Sequence, residues 1–442
     1  MKTFKMGGVH PEENKISNDA AIEVMPVGKQ MVVLMNQHLG APATPVVQKG
    51  DKVKVGQLIG EAQAFMCANV HSPVSGTVLK IDTCKDAFGI SKPAVYINVE
   101  GDEWLETIDR TPDIKRECTL EPKEIVAKLK EMGIVGLGGA TFPAHIKYSI
   151  PEGKKAEYLI INAAECEPYL TSDLRVMLEH AEEICIGISI LRKALGVPAA
   201  YVGIESNKPQ AIKVMTETAS RFEGIVIEPL KVKYPQGAEK QLINAITGRK
   251  VPSGKLPIDV GCVVSNVGTT FAVYEAIQKN KPLIENILTV TGKELPSQHN
   301  YIVRIGTTYN EIIAHSIGQL PETTGKVISG GTMMGKAVAN LDAPTVKGNA
   351  SVLVIGEKEA RRNPETACIR CGKCMNACPM GLEPYLFSAL VKNGRTDESR
   401  QHNILDCIEC GCCYFSCPAN KPLLDEIRLG KNRVRAAMAA KK

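Results

Sequence analysis

Cys368-Ile369-Arg370-Cys371-Gly372-Lys373-Cys374-Met375-Asn376-Ala377-Cys378-Pro379 returns further along the chain as Cys407, Cys410, Cys413, Cys417 and Pro418. Each run reads C-x2-C-x2-C-x3-C-P. Thiolates two residues apart on a tight loop converge on one metal centre, and a fourth, carried away on the next helix, reaches a second centre. The spacing therefore predicts two 4Fe-4S clusters with crossed ligands. Cys368, Cys371, Cys374 and Cys417 hold one, and Cys407, Cys410, Cys413 and Cys378 hold the other. Pro379 and Pro418 keep the backbone from folding over the last ligand. Structural zinc sites pair C-x2-C units without the third cysteine or the C-P ending, and disulfides belong to a secretory setting. Cys412 stands between ligands and reads as spare.

The rest of the chain is sized to serve such a module. At 442 residues, and with about 100–200 residues per domain, three or four domains are expected. Nine of the fifteen cysteines fall between 368 and 417, and the scatter of the others points to a reducing compartment. Residues 1–13 carry lysines without an apolar core, and no apolar run reaches the ~18 residues of a membrane helix. The expectation is an intracellular protein that does not itself span a bilayer. A net charge of +5 is too small to argue for nucleic acid, and none is expected as a partner. Arg428, Lys431, Arg433, Arg435, Lys441 and Lys442 read as a solvated, frayed basic tail.

Taken in order, residues 1–30 are polar and turn-rich. Between Val46 and Val99, brief apolar pairs alternate with Gly and Pro, as in Gly56-Gln57-Leu58-Ile59-Gly60 and Ser72-Pro73-Val74-Ser75-Gly76, which predicts a small all-β unit. Residues 101–121 read as a linker. A helix is expected from Pro122, with Gly133 capping its end. Then comes an α/β pattern: a strand at Tyr158–Ile161, one helix stripe from Leu174 to Leu191 capped near Ser172 or Asp173, a strand at Ala200–Ile204, a helix from Pro209 to Phe222, and a strand at Ile225–Leu230. Such alternation implies parallel pairing with right-handed crossovers. From Ile287 a β-β-α-β order follows, its helix opened by Thr308 and Glu311 at capping-box spacing. One more strand is expected at 352–355.

A second site is suggested by redox arithmetic. Clusters pass single electrons, a nicotinamide gives up two as hydride, and a flavin mediates between them. Gly136-Leu137-Gly138-Gly139-Ala140-Thr141-Phe142-Pro143 lets the backbone approach an anion or a flat ring, with Lys147 downstream to neutralise a phosphate. It is not a dinucleotide fingerprint, because it follows a helix and has Thr at 141. Asn162, Glu165 and Glu167 sit straight after a strand, where parallel sheets place ligands, although a solvated acidic turn reads equally well. Gly237, Glu239 and Lys240 open a helix whose N-terminus suits a phosphate. Asn266 and Thr269 offer small polar groups to a ribityl chain.

In their order these segments resemble the flavoprotein subunit of respiratory complex I, whose G-R-G-G-A-G-F-P, N-A-D-E-x-E-P, G-E-E-T-A-L and N-N-V-E-T elements form its FMN and NADH pocket. Gly138, Gly139, Ala140, Phe142 and Pro143 match the first element, and Asn162, Ala163, Glu165, Glu167 and Pro168 the second. Gly237 and Glu239 match the third, and Asn266, Val267 and Thr269 the fourth. The chain departs at Ala164, Ala238 and Gly268, where that family has an acid. The region 46–99 resembles the biotinyl/lipoyl barrel-sandwich hybrid, but its hairpin tip, Gln63 to Asn69, has no lysine, so a structural or docking module is expected.

Together with Phe4 to Pro11, Tyr234-Pro235-Gln236-Gly237-Ala238-Glu239-Lys240-Gln241-Leu242 and the doubled cysteine run, the whole chain is similar to the RnfC family, the nucleotide-facing component of the Rnf complex. That resemblance implies a multidomain α/β protein with a barrel-sandwich hybrid (1–100), a linker (101–121), a Rossmann-like FMN/NADH domain (122–284) and a β-grasp domain (285–345). A connecting strand (346–362), an α-helical two-cluster ferredoxin-like domain (363–430) and the basic tail (431–442) complete it. It further implies FMN and two 4Fe-4S clusters as cofactors, NAD(H) as substrate, and membrane and iron–sulfur Rnf subunits as partners. Ferredoxin takes part indirectly, and the place is the cytoplasmic face of the membrane. No catalytic side chain is expected. The alternatives are a cobalamin reductase of the propanediol-utilisation type and a non-catalytic wiring or scaffold protein.

Overall fold

The computed structural model describes residues 1–440; Lys441 and Lys442, counted with the basic tail, lie outside the described residues. The first β unit is built from two small antiparallel sheets. Strands Gln30–Leu34, Ser91–Val99, Gly76–Lys85 and Lys52–Val53 pair in that order, facing Thr44–Pro45, Leu58–Glu61 and Val70–His71. Met31, Val33, Ile59, Val70, Val95 and Ile97 are fully buried between them, the alternation expected of strands with one wet face. The hairpin tip leaves Phe65 82% exposed.

Helix α1 (Pro122–Glu131) begins with proline in its first turn and ends before Gly133, whose φ of +64° suits only glycine at low cost. It leads through the glycine loop to four parallel strands: β1 (Tyr158–Ala163), β2 (Ala200–Glu205), β3 (Ile225–Leu230) and β4 (Cys262–Asn266). The sheet order is β3-β2-β1-β4, with Ile161 opposite Val202 on one side and Ser265 on the other. The direction of winding therefore reverses between β1 and β4, which places a crevice at their C-terminal ends.

The helix stripe after β1 is not one helix. It breaks at His180 into α2 (Ser172–Glu179) and α3 (Ala181–Leu195). The His180 ring stacks on Phe271 at 4.5 Å, and its Nδ1 lies 3.2 Å from Glu183 in the first turn of α3, so the break is held by side-chain contacts. Neither Ser172 nor Asp173 caps α2; the N-cap position is Thr171, which makes no side-chain cap bond. Helices α4 (Pro209–Ala219) and α6 (Val267–Gln278) pack with α3 on one face of the sheet, and α5 (Glu239–Thr247) covers the other.

The β-β-α-β order after residue 284 is present, and Thr308 and Glu311 form the capping box. Its sheet is wider than the segment expected to form it. Ile22–Val24 pairs parallel to His299–Arg304, and Ser351–Gly356 lies between Glu285–Thr291 and Thr324–Ser329. Every residue of Ser351–Gly356 is buried, so this strand is the sheet's centre and not a connector. Lys347 clasps three units together: its buried Nζ donates to Asn69 O (2.6 Å) and Gly133 O (2.7 Å), and burial pushes the ammonium pKa down to about 7.

The C-terminal helix runs unbroken from Leu423 to Ala440, through the boundary expected for a frayed tail. Lys431 is buried and donates to Cys407 O and Glu409 (both 2.6 Å), Arg428 reaches Glu409 (3.2 Å) and Met334 O (3.1 Å), and Arg433 donates to Val391 O (2.9 Å). These basic residues brace the cysteine module.

Candidate cofactor sites

Four sequence segments meet at the crevice between β1 and β4. The glycine loop closes on itself through Gly136 N to Phe142 O (2.9 Å), and Leu137 N donates to Thr269 Oγ1 (2.8 Å). A Cβ added to Gly138 would stand 2.9 Å from Asn266 Cβ and Nδ2, so Gly138 lies flat on Asn266 while Gly139 faces open space. Ala140 and Phe142 complete the loop, and Thr141 O accepts from Leu39 N of the barrel unit (3.2 Å). Gly138→Ala is expected to displace Asn266 at a cost of about 1–3 kcal/mol; flavin retained through gel filtration should fall well below wild type.

The turn after β1 is buried, not solvated. Glu165 is 9% exposed. Its Oε1 accepts from Asp173 N at 2.7 Å, whereas Oε2 is buried with no hydrogen-bond partner, 4.0 Å from Lys15 Nζ. Burial raises its pKa, against the pull of Lys15 and Lys208. Glu167 Oε1 accepts from Met333 N (2.6 Å) and Met334 N (2.9 Å). Asn162 Nδ2 donates to Gly237 O (2.7 Å), and Gly237 N donates to Cys166 Sγ (3.2 Å), so the acidic turn and the start of α5 are bonded together. Lys147 Nζ donates to Glu239 Oε1 (3.0 Å) and Val264 O (2.9 Å), and Lys240 follows on the same turn of α5. Asn266 caps α6 by accepting from Thr269 N (3.1 Å) and donates to Asp173 Oδ2 (2.7 Å).

Three residues here carry no local sequence signal. Lys15 Nζ donates to Glu165 O (2.7 Å), Glu167 O (2.9 Å) and Leu170 O (2.6 Å). Lys208 Nζ donates to Ala164 O (2.7 Å). Asp173 reads as a helix-start residue, but its carboxylate serves Asn266. The only hint is a strand-end acidic turn with no local cation to balance it.

Among the described residues, no three His, Cys, Asp or Glu side chains converge as they would on a single metal ion. The cysteines instead stand around two hollows. One is lined by Cys368, Cys371, Cys374 and Cys417, with Ile369 and Tyr385; the other by Cys378, Cys407, Cys410, Cys412 and Cys413, with Ile408 and Leu424. Cys417 thus stands with the first run and Cys378 with the second, the inner hollow adding Cys412, and thiols around a void fit a cluster better than a single ion. Cys368 and Cys371 are exposed, while Cys378, Cys410 and Cys413 are buried. Cys412, without a place in the spacing, is fully buried with its Sγ 4.0 Å from Tyr234 O.

The inner hollow is joined to the crevice. Tyr234 OH donates to Cys410 O (2.9 Å), Gln241 Nε2 to Pro379 O (3.2 Å) and Gly8 N to Ala377 O (2.9 Å). Val9, Tyr234, Ala377, Cys410 and Cys412 form one buried cluster, against which Cys166 packs.

Family models match these units separately: the RnfC barrel sandwich hybrid domain over residues 2–102, the Nuo51 FMN-binding domain over 129–275 and the 4Fe-4S dicluster domain over 360–418. A curated relative, the C component of the proton-translocating ferredoxin:NAD(+) oxidoreductase complex of Clostridium ljungdahlii, is 46% identical, over 99% of this chain and 95% of its own length. The chain belongs to the RnfC family of ion-translocating oxidoreductase complexes. The Acetobacterium woodii member, from a complex named as Na(+)-translocating, is 41% identical over 98% of this chain and 97% of its own length. The corresponding component of the ion-translocating oxidoreductase complex of Rhodobacter capsulatus is 41% identical over 97% and 82%. This RnfC-family chain thus carries a flavin-binding domain of the FMN type and a dicluster 4Fe-4S domain. The crevice fits the flavin by its own features: a backbone loop with no room for a Cβ at Gly138, and a buried carboxylate oxygen on Glu165 that has no hydrogen-bond partner. No helix among the described residues is long and apolar enough to cross a membrane.

Proposed function

We propose that this chain is the NAD(H)-facing member of a complex exchanging electrons between ferredoxin and NAD while moving Na+ or H+, attached peripherally at the cytoplasmic face of the membrane through other Rnf subunits. The observation that carries this reading is the joining of a flavin-type crevice to a cysteine-lined hollow, through Tyr234 and Cys410, within one polypeptide. Bound FMN would exchange an electron pair with NAD(H), and bound clusters would handle electrons singly.

The residues we assign to FMN and nucleotide are Gly136, Gly138, Gly139, Ala140, Phe142, Lys147, Asn162, Glu165, Glu167, Gly237, Glu239, Lys240, Asn266 and Thr269. Glycine-loop backbone groups approach the ring and phosphate, and the start of α5 offers unbonded N–H groups to a phosphate. Lys147 balances charge there, and Glu165, Glu167 and Glu239 orient the nucleotide. The cysteines of the two hollows other than Cys412 are the cluster ligands. The domain limits are those expected above, with Ile22–Val24 and Ser351–Gly356 joined to the third domain and the C-terminal helix to the fourth. The outer hollow, with Cys368 and Cys371 exposed and Ile369 69% exposed beside them, is the one open to a partner protein.

Anaerobically reconstituted protein should lose its flavin colour on adding NADH. Glu167→Ala removes the acceptor of two backbone donors, charge-assisted bonds worth about 1.5–3 kcal/mol each, and the NADH needed for half-bleaching should rise at least ~10-fold. A fully occupied flavin that NADH leaves coloured would sink the oxidoreductase role.

A further inference from the structure

The proposed reaction leaves a proton behind. A hydride is one proton and two electrons, and when the electrons depart singly to centres that take no proton, the proton must go to a group at the crevice. We propose that Asp173, held between Glu165 and Asn266 at the floor of the crevice beneath the glycine loop, takes up that proton and returns it when electrons run the other way. This rests on the reading of the crevice as a flavin and NAD(H) site.

The geometry is specific. Asp173 Oδ2 is fixed by Asn266 Nδ2 at 2.7 Å, and the Asp173 backbone N–H is held by Glu165 Oε1 at 2.7 Å. Its other oxygen, Oδ1, fronts room kept clear by Gly268: a Cβ there would stand 3.5 Å from Asp173 Oδ1, 3.1 Å from Asn266 Oδ1 and 3.9 Å from Leu137 Cδ1. Asn266 is also the residue on which Gly138 lies. Glu165, nine-tenths buried, has Oε2 with no hydrogen-bond partner. The charges around the pair come from Lys15 of the N-terminal segment and Lys208 after β2, with Glu205 3.7 Å from Lys208 and Cys166 and Glu167 on the same turn.

Burial, then the charge of Glu165, pushes the Asp173 pKa up to about 7, with Asn266, Lys208 and Lys15 opposing. A carboxyl group is thereby poised to exchange protons near neutrality, where such groups are most effective. It is neutral below about pH 7 and charged above, so the proton acceptor is present on the alkaline side.

The test is a dithionite titration of the bound flavin in the full reconstituted chain across pH 5–9. Wild type should show a break near pH 7 in the plot of midpoint potential against pH. Asp173→Asn should lose the carboxylate's share of the break, leaving only the flavin's own, and flavin reoxidation after NADH should slow about 10²-fold. Glu165→Gln, which removes the neighbouring charge, should move the break to lower pH and so reads the same group if Asp173→Asn fails to fold. Reduced flavin loses a proton of its own near neutrality in every variant, so the deciding outcomes are these: a break unmoved by Glu165→Gln, or an unslowed reoxidation in a folded Asp173→Asn, overturns the proposal. Because dithionite reduces the flavin independently of NADH, a chain whose flavin NADH does not bleach would fail the functional reading while the break still decides this one.

Discussion

Cys378→Ser should leave the chain with roughly four irons in place of roughly eight, and the four that remain should be those a chelator strips readily. Cys378 belongs by sequence to the first cysteine run, yet it lines the hollow of Cys407, Cys410 and Cys413. On the proposed ligation, losing it would remove the buried cluster and spare the one bounded by the exposed Cys368 and Cys371. Cys417→Ser is the converse: the surviving cluster lies among buried cysteines and resists the chelator. Ligation run by run predicts the opposite pairing, because Cys378→Ser would then spare the second run. Iron content with chelator kinetics on the two variants therefore separates the schemes. In the Cys378→Ser chain NADH should still bleach the flavin, while delivery of electrons to an acceptor docked at the outer hollow should fall to background. A Cys378→Ser chain whose remaining iron resists chelation would refute crossed ligation.

The gathering of the cysteines at two hollows was legible because a spacing of two or three residues fixes geometry locally, and the exchange of Cys378 and Cys417 between the runs follows from the same rule. The parallel strands were legible from their apolar runs, and the switch point at Asn162 and Asn266 follows from the strand order. What was not legible came from distance. Ile22–Val24 is a strand only because His299–Arg304 offers it an edge, and Ser351–Gly356 is central only because two strands flank it. Lys431 reads as one more basic residue of a solvated tail, but helix α7 (Leu423–Ala440) turns it onto Cys407 and Glu409. At the crevice, spacing identified the acids and left out their counter-ions, since a burial cost is visible only once the surroundings are known.

The most damaging single change outside the cysteines is expected at Lys15, which lies about 150 residues from its partners. Its ammonium fills a gap bounded by Glu165 O, Glu167 O and Leu170 O, with the Glu165 carboxylate 4.0 Å away. Lys15→Met keeps the apolar stem but leaves three carbonyls without that donor and one buried carboxylate less well balanced. Breaking a buried pair by removing one partner costs about 3–5 kcal/mol, far more than the pair itself contributes. Lys208 holds Ala164 O from the other side at 2.7 Å, so the turn is not wholly released, but the stretch from Glu165 to Leu170 loses its tie to the N-terminal segment. Lys15→Met should therefore lower the unfolding free energy by that amount in a denaturant titration and purify with depleted flavin. Lys5→Met, at an exposed lysine of the same segment, should stay within about 0.5 kcal/mol of wild type. If Lys15→Met matched that control, the buried cation would be incidental, and the shape of the acidic turn would have to come from Lys208 and the strand end alone.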